Sequence, residues 1–175
     1  YLLLSIYDGD LSRPVLSLWD LNAQTMVHQW RQPIDEMIAR SVKFTSNEVV
    51  LKRDRTENRL TYRHPLMMEN GDLVLKMDSP LFRVDPCNEI VWINDRSLFH
   101  HATEQDADGN IWVSSRIDPT HIPHVNFKDF LDDATTKVSP DGEILFQRSV
   151  AEVLIQQGLA RLVYGRDDYI SNPVH

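Results

Sequence analysis

A single cysteine, Cys87, stands among the 175 residues. One thiol excludes an intrachain disulfide and leaves the redox compartment open. No apolar run approaches the roughly 18 residues that a membrane-crossing helix needs. The opening segment, Tyr1-Leu-Leu-Leu-Ser-Ile-Tyr7, is apolar but short, and it lacks the basic start of a signal peptide. The chain has no initiator Met, which suggests a processed or partial chain. Basic residues are outnumbered, 18 Lys and Arg against 26 Asp and Glu, and the net charge is −8. That balance argues against a nucleic-acid surface, where a basic stripe is expected. Neither a phosphate-cradling Gly-rich loop nor a Gly-x-Ser-x-Gly elbow is present.

What the chain does have is repetition. Two stretches begin at a histidine and run through a turn into an apolar strand: His64-Pro-Leu-Met-Met-Glu-Asn-Gly-Asp-Leu-Val-Leu75 and His101-Ala-Thr-Glu-Gln-Asp-Ala-Asp-Gly-Asn-Ile-Trp-Val113. The chain ends on a third candidate, Asn172-Pro-Val-His175. Repeats aim equivalent positions at a common axis, so histidines far apart in sequence can converge. A second series pairs Val84-Asp-Pro-Cys-Asn-Glu-Ile-Val-Trp92 with Val138-Ser-Pro-Asp-Gly-Glu-Ile-Leu-Phe146, offset by 54 residues. Leu18 to Val27, leading on to Trp30, is a weaker third copy.

Turn signals at Asn70-Gly71, Asp85 to Asn88, Asp108-Gly109 and Ser139 to Gly142 supply the positive φ that tight hairpins need. Residues 60 to 94 therefore read as four consecutive antiparallel strands: Leu60–Met68, Asp72–Met77, Leu81–Asp85 and Glu89–Asn94. Four strands per unit, repeated, is the pattern of a β-propeller blade. The next unit starts at His101, carries an insertion from Asp118 to Asp133, and is followed by a helix-like segment from Ser149 to Gly158. There Val150, Val153 and Leu154 share a face, and Gly158 is the expected stop. Another short helix is expected at Pro33–Ala39. No low-complexity linker divides the chain, so residues 1–175 read as one domain. The predicted class is all-β: a β-propeller of four-stranded blades, about three to four of them in this chain, with short helical insertions.

The His100-His101 pair before Asp106-Ala-Asp-Gly-Asn-Ile-Trp-Val, the Val84-to-Trp92 strand pair, the Ser-Val-Ala-Glu-Val-Leu insertion and the Asp167-to-His175 ending resemble the arylsulfotransferase family. The resemblance covers most of the chain from about Val15 onward. It implies a six-bladed propeller that moves a sulfuryl group from a phenolic sulfate to a phenol, without a nucleotide sulfate donor, through a sulfohistidine. By that resemblance His175 matches the nucleophile, His101 an upstream channel histidine and Arg116 the oxyanion-binding arginine; His64 holds the equivalent place one blade earlier. No cofactor is implied, and the partners are a phenolic sulfate and a phenol. Family members are often periplasmic or membrane-anchored, which sets the expected compartment.

The residue types suit such chemistry. A sulfate ester is anionic and needs cations around its non-bridging oxygens. Arginine's planar fork grips two oxygens at once, and neutral imidazole is a competent nucleophile or proton carrier near neutral pH. Plainer readings stand beside these. A histidine at a strand start can cap a hairpin, the terminal His175 can fray, and Arg116 can pair with Asp118 or Glu104. Trp92, Trp112 and Phe146 read as core. His100, His101, His121 and His124 offer imidazoles to a metal, but no carboxylate or thiol spacing supports a site, and Asp106-Ala-Asp-Gly-Asn reads as a turn, not a calcium loop. Six blades at roughly 40 to 50 residues each need about 250 residues. Either the chain is a fragment, another chain such as a second copy completes the ring, or blades were lost; exposed sheet edges would invite association. A non-catalytic propeller scaffold is the alternative function.

Overall fold

A computed structural model describes residues 1–31, 34, 37, 39, 41, 61–76, 79–123 and 130–165. Within them the chain is all-β, built of three antiparallel sheets with few helices. The first sheet holds β1 (Leu2–Asp8), β2 (Arg13–Asp20) and β3 (Thr25–Trp30). The second holds β4 (Leu66–Met67), β5 (Leu73–Lys76), β6 (Leu81–Val84) and β7 (Ile90–Asn94). The third holds β8 (Leu98–Gln105), β9 (Ile111–Ile117), β10 (Asp132–Val138) and β11 (Ile144–Ser149). Each sheet is a meander whose strands neighbour one another in sequence order. The insertion expected from Asp118 to Asp133 lies between β9 and β10.

The hairpin turns share one construction. In each, the residue at position i donates its amide to the carbonyl of i+4 and accepts the amide of i+3 on its own carbonyl: Met68 with Asp72 and Gly71, Asp85 with Glu89 and Asn88, Asp106 with Asn110 and Gly109, Ser139 with Glu143 and Gly142. Such three-residue loops require a left-handed residue at i+3. Gly71, Asn88, Gly109 and Gly142 all take it, with φ between 73° and 88°. Asp85 and Asp106 reinforce their turns by accepting two further backbone amides each on Oδ1. The Asp106 carboxylate also accepts from Lys137 Nζ at 2.9 Å and from Trp112 Nε1 at 3.0 Å. Those bonds, the lysine's foremost, hold its pKa well below the ordinary carboxylate value.

The 54-residue repeat has a structural signature. β6–β7 and β10–β11 carry a register shift at the same place, between Arg83 and Val84 and between Lys137 and Val138. The weaker copy, β2–β3, shifts between Leu18 and Trp19. A bulge leaves one residue of the longer strand outside the ladder. Here those residues are Val27, Val91 and Leu145, all more than half exposed.

The sheets pack in series. β5 is buried along its whole length, because it is covered on both faces. Leu73 and Leu75 join a cluster with Leu16 and Trp30 of the first sheet, while Val74 joins another with Phe99, Ile111 and Val138 of the third. Each fully buried side chain contributes about 1.5–3 kcal/mol. The exposed Arg96–Glu143 ion pair between the second and third sheets adds less than about 1 kcal/mol, so packing holds the stack.

Several details depart from expectation. Leu60 of the predicted Leu60–Met68 strand lies outside the described residues, and among the others pairing with β5 runs over Leu66–Met67. Trp92 and Trp112 are only half-buried, and Phe146 is exposed because β11 is an edge strand. Ser149 caps helix α1 (Val150–Gln156) by accepting the Glu152 amide, and Gly158 ends it in the left-handed conformation. The face of Val150 and Val153 is exposed, however, and Ala151 is the helix's buried contact. A short α2 (Ala160–Tyr164) follows. At the expected Pro33–Ala39 helix, Ile34, Met37 and Ala39 are helical, and the first two are fully buried in the first cluster.

Candidate active site

Two histidines depart from ordinary strand geometry in the same way. His64, just before β4, has φ 46°, and His101, within β8, has φ 52°. Left-handed backbone is uncommon outside glycine, though histidine is among the residues that tolerate it. It persists only where surroundings impose it, and it concentrates at functional positions. At His101 the cause is visible. β8 pairs with β9 up to His100 opposite Ser114 and resumes at Thr103 opposite Val113, so His101 and Ala102 form a bulge. Both histidines are exposed. The two segments are neighbours, since β4 lies against β8 and Leu66 and Met68 pack on the cluster that contains Phe99.

Beside His101 a compact polar group spans three strands. Arg116 sits opposite Asp133 in the β9–β10 register and opposite Leu98 in β8–β9. Its Nε lies 3.4 Å from Asp133 Oδ1. Asp133 is thus its partner, rather than Asp118 or Glu104, because the insertion ends by returning Asp133 alongside β9. The same carboxylate oxygen lies 3.2 Å from His100 Nε2, which is also 3.1 Å from the Ser115 carbonyl. The rings of His100 and His101 meet edge to face at 4.7 Å.

His100 entered the sequence reasoning only as half of the His100-His101 pair and among the imidazoles open to a metal, without a role of its own. Its ring is buried, and Nδ1 has no partner among the described residues. With the proton on Nε2, donated to Ser115 and Asp133, Nδ1 keeps a lone pair directed into the protein. The doubled histidine was the available signal; the asymmetry between its two rings follows from strand alternation and the bulge. Burial lowers the His100 pKa below its ordinary 6.5, with Asp133 opposing and Arg116 reinforcing the shift. The unfolded chain therefore takes up the proton first. The neutral ring's contribution to stability is complete above pH 6.5 and is lost as pH falls through the lower folded value. The melting temperature of the wild type should fall more between about pH 8 and about pH 5 than that of His100→Gln; parallel curves would show that His100 is not the group concerned.

His175 lies outside the described residues, as does His124. Among the described residues no three His, Cys, Asp or Glu side chains are grouped to hold a metal ion. No helix among them is long and apolar enough to cross a membrane. Between the turns of the inner hairpins runs an open groove lined by Met68, Asn70, Gln105 and Asp106, with no histidine or arginine in its wall.

Serially packed antiparallel sheets with a histidine–arginine–carboxylate group across three strands of one of them define an all-β protein. Residues 64–174, well over half of the chain, match the family model described as Arylsulfotransferase (ASST). The chain belongs to the arylsulfotransferase family, a family of sulfotransferase-type enzymes with small aryl substrates. No curated protein and no solved structure matches it.

Proposed function

We propose that this protein transfers a sulfuryl group from a phenolic sulfate ester to a phenol through a histidine. The observation that carries the reading is the pair of left-handed histidines, His64 and His101, at equivalent places in neighbouring sheets, with Arg116 close by. In this reading the three sheets are consecutive blades of a single β-propeller domain, part of a six-bladed ring. The serial packing, the recurrent bulge and the contact of β4 with β8 support that arrangement. An extracytoplasmic location belongs to the same reading and rests on the family.

The roles follow from the chemistry. The His175 imidazole nitrogen attacks sulfur as the bond from sulfur to the aryl oxygen breaks, leaving a sulfohistidine and a phenolate. His101 hands the phenolate its proton and later removes one from the acceptor phenol, whose oxygen attacks sulfur and releases His175. Arg116 holds the non-bridging oxygens through both steps. Its contact with Asp133 runs through Nε, and among the described residues its side chain makes no other bond. His64 lines the same site from the preceding blade.

The test is incubation with a chromogenic aryl sulfate and increasing phenol. Chromophore release should rise with phenol and give the parallel double-reciprocal lines of a ping-pong reaction. His175→Ala and His101→Ala should abolish it. A folded full-length protein that releases nothing, with every acceptor tried, would leave the scaffold reading in place.

A further inference from the structure

Lys76, the last residue of β5, is fully buried. Burying an ammonium is costly unless its donors are met. Here two acceptors are supplied from separate parts of the fold. Nζ donates to the Arg63 carbonyl at 3.2 Å and, by a very short bond, to Thr103 Oγ1 on β8. The Lys76 carbonyl in turn accepts the Arg63 amide at 3.0 Å. Arg63 immediately precedes the left-handed His64. Thr103, itself buried, is the residue at which pairing resumes after the bulge that presents His101. One side chain therefore fixes the residue before the first histidine and the residue that closes the bulge of the second.

We propose that Lys76 is a positioning residue: it sets the spacing and backbone conformation of His64 and His101 from within the protein and touches no substrate. The proposal rests on the sulfotransferase reading only for its catalytic consequence. The geometric reasoning is independent of it. A hydrophobic side chain of equal length would fill the space but break the side-chain tie between the two segments. Left-handed histidine backbone costs energy, so a released segment relaxes toward ordinary φ and moves its imidazole. Misplacement by about 1 Å can cost about 100-fold in rate.

Two variants carry the test. Lys76→Met removes the brace, whereas Thr103→Val removes only its attachment on β8 and preserves shape. The first readout is the set of imidazole signals in the NMR spectrum of the full-length protein. Those of His64 and His101 should shift and broaden in both variants, while those of His28 and His121 stay in place. Thr103→Ser, which keeps the acceptor, should restore the wild-type spectrum. The second readout is aryl sulfate turnover, where kcat should fall by about 100-fold in Lys76→Met with KM little changed.

If Lys76→Met does not fold, Thr103→Val decides. Unchanged His64 and His101 signals in a folded variant overturn the proposal whatever the activity. Signals that move in the variants, with a wild type that releases no phenol, leave the brace standing and overturn the sulfotransferase reading instead.

Discussion

Arg116→Met should lower kcat/KM for an aryl sulfate by about 100- to 1,000-fold, the usual loss when a preorganised group facing transition-state charge is removed. The argument turns on the modest structural role of this side chain. Its one ion pair among the described residues, to Asp133, has a 3.4 Å separation, and the aspartate is more than half exposed. Pairs of that kind contribute at most about 1 kcal/mol, so the variant should fold and melt close to the wild type. A large loss of activity with little loss of stability would then identify a chemical role. Arg116→Lys should recover only part of the rate, since an ammonium keeps the charge but not the fork that spans two oxygens. A second signature comes from His100. The Arg116 charge helps to hold the His100 pKa down, so removing it leaves Asp133 less opposed and the pKa rises. Followed by NMR, the His100 ring should titrate at higher pH in Arg116→Met and stay near its place in Arg116→Lys. Equal kcat/KM for all three proteins would remove Arg116 from the mechanism.

How much of this was legible in the sequence depended on which physical effect decided each feature. Turns were readable because left-handed φ restricts residue choice: Gly71, Asn88, Gly109 and Gly142 mark themselves. The two outer hairpins were readable because they repeat, and the structure adds the shared bulge with its exposed Val91 and Leu145. Partner choice was not readable. The sequence offered Asp118 and Glu104 to Arg116, and the return path of the insertion supplies Asp133 instead. Nor could the burial of Lys76 be foreseen, since a lysine at the end of an apolar strand ordinarily reaches solvent. Its acceptors, a backbone carbonyl and a threonine hydroxyl, carry no sequence signal. Left-handed φ at His64 and His101 was likewise invisible, for no side-chain pattern announces a bulge at a histidine.

Gly142→Ala should be the most destabilising of the glycine substitutions in the hairpin turns, costing about 2–5 kcal/mol from left-handed strain and overpacking together. All three turn glycines share the conformational part, since φ is 87° at Gly71, 83° at Gly109 and 88° at Gly142. They differ in what an added methyl would meet. At Gly109 the nearest atom is 3.8 Å away, and at Gly71 Pro86 Cγ stands at 3.3 Å. At Gly142 the methyl would lie 2.7 Å from Trp92 Cδ2, inside any tolerable contact. The indole has little room to yield, because Trp92 Nε1 donates to the Pro140 carbonyl at 2.8 Å. The same turn is held by Arg83 donating to Pro140 and by Asn94 Nδ2 donating to the Gly142 carbonyl. Displacing it therefore loosens the junction of the second and third sheets. For a chain of this size each kcal/mol lowers the melting temperature by about 2–4 °C. The melts should rank Gly109→Ala mildest, Gly71→Ala next and Gly142→Ala well below both. Asparagine separates the two causes, because it tolerates left-handed φ, as Asn88 does at the equivalent turn of the second sheet. Gly109→Asn should be gentler than Gly109→Ala, whereas Gly142→Asn should remain as damaging as Gly142→Ala. A Gly142→Asn protein as stable as the wild type would mean that Trp92 does not close against this turn, and that the sheets are held together elsewhere.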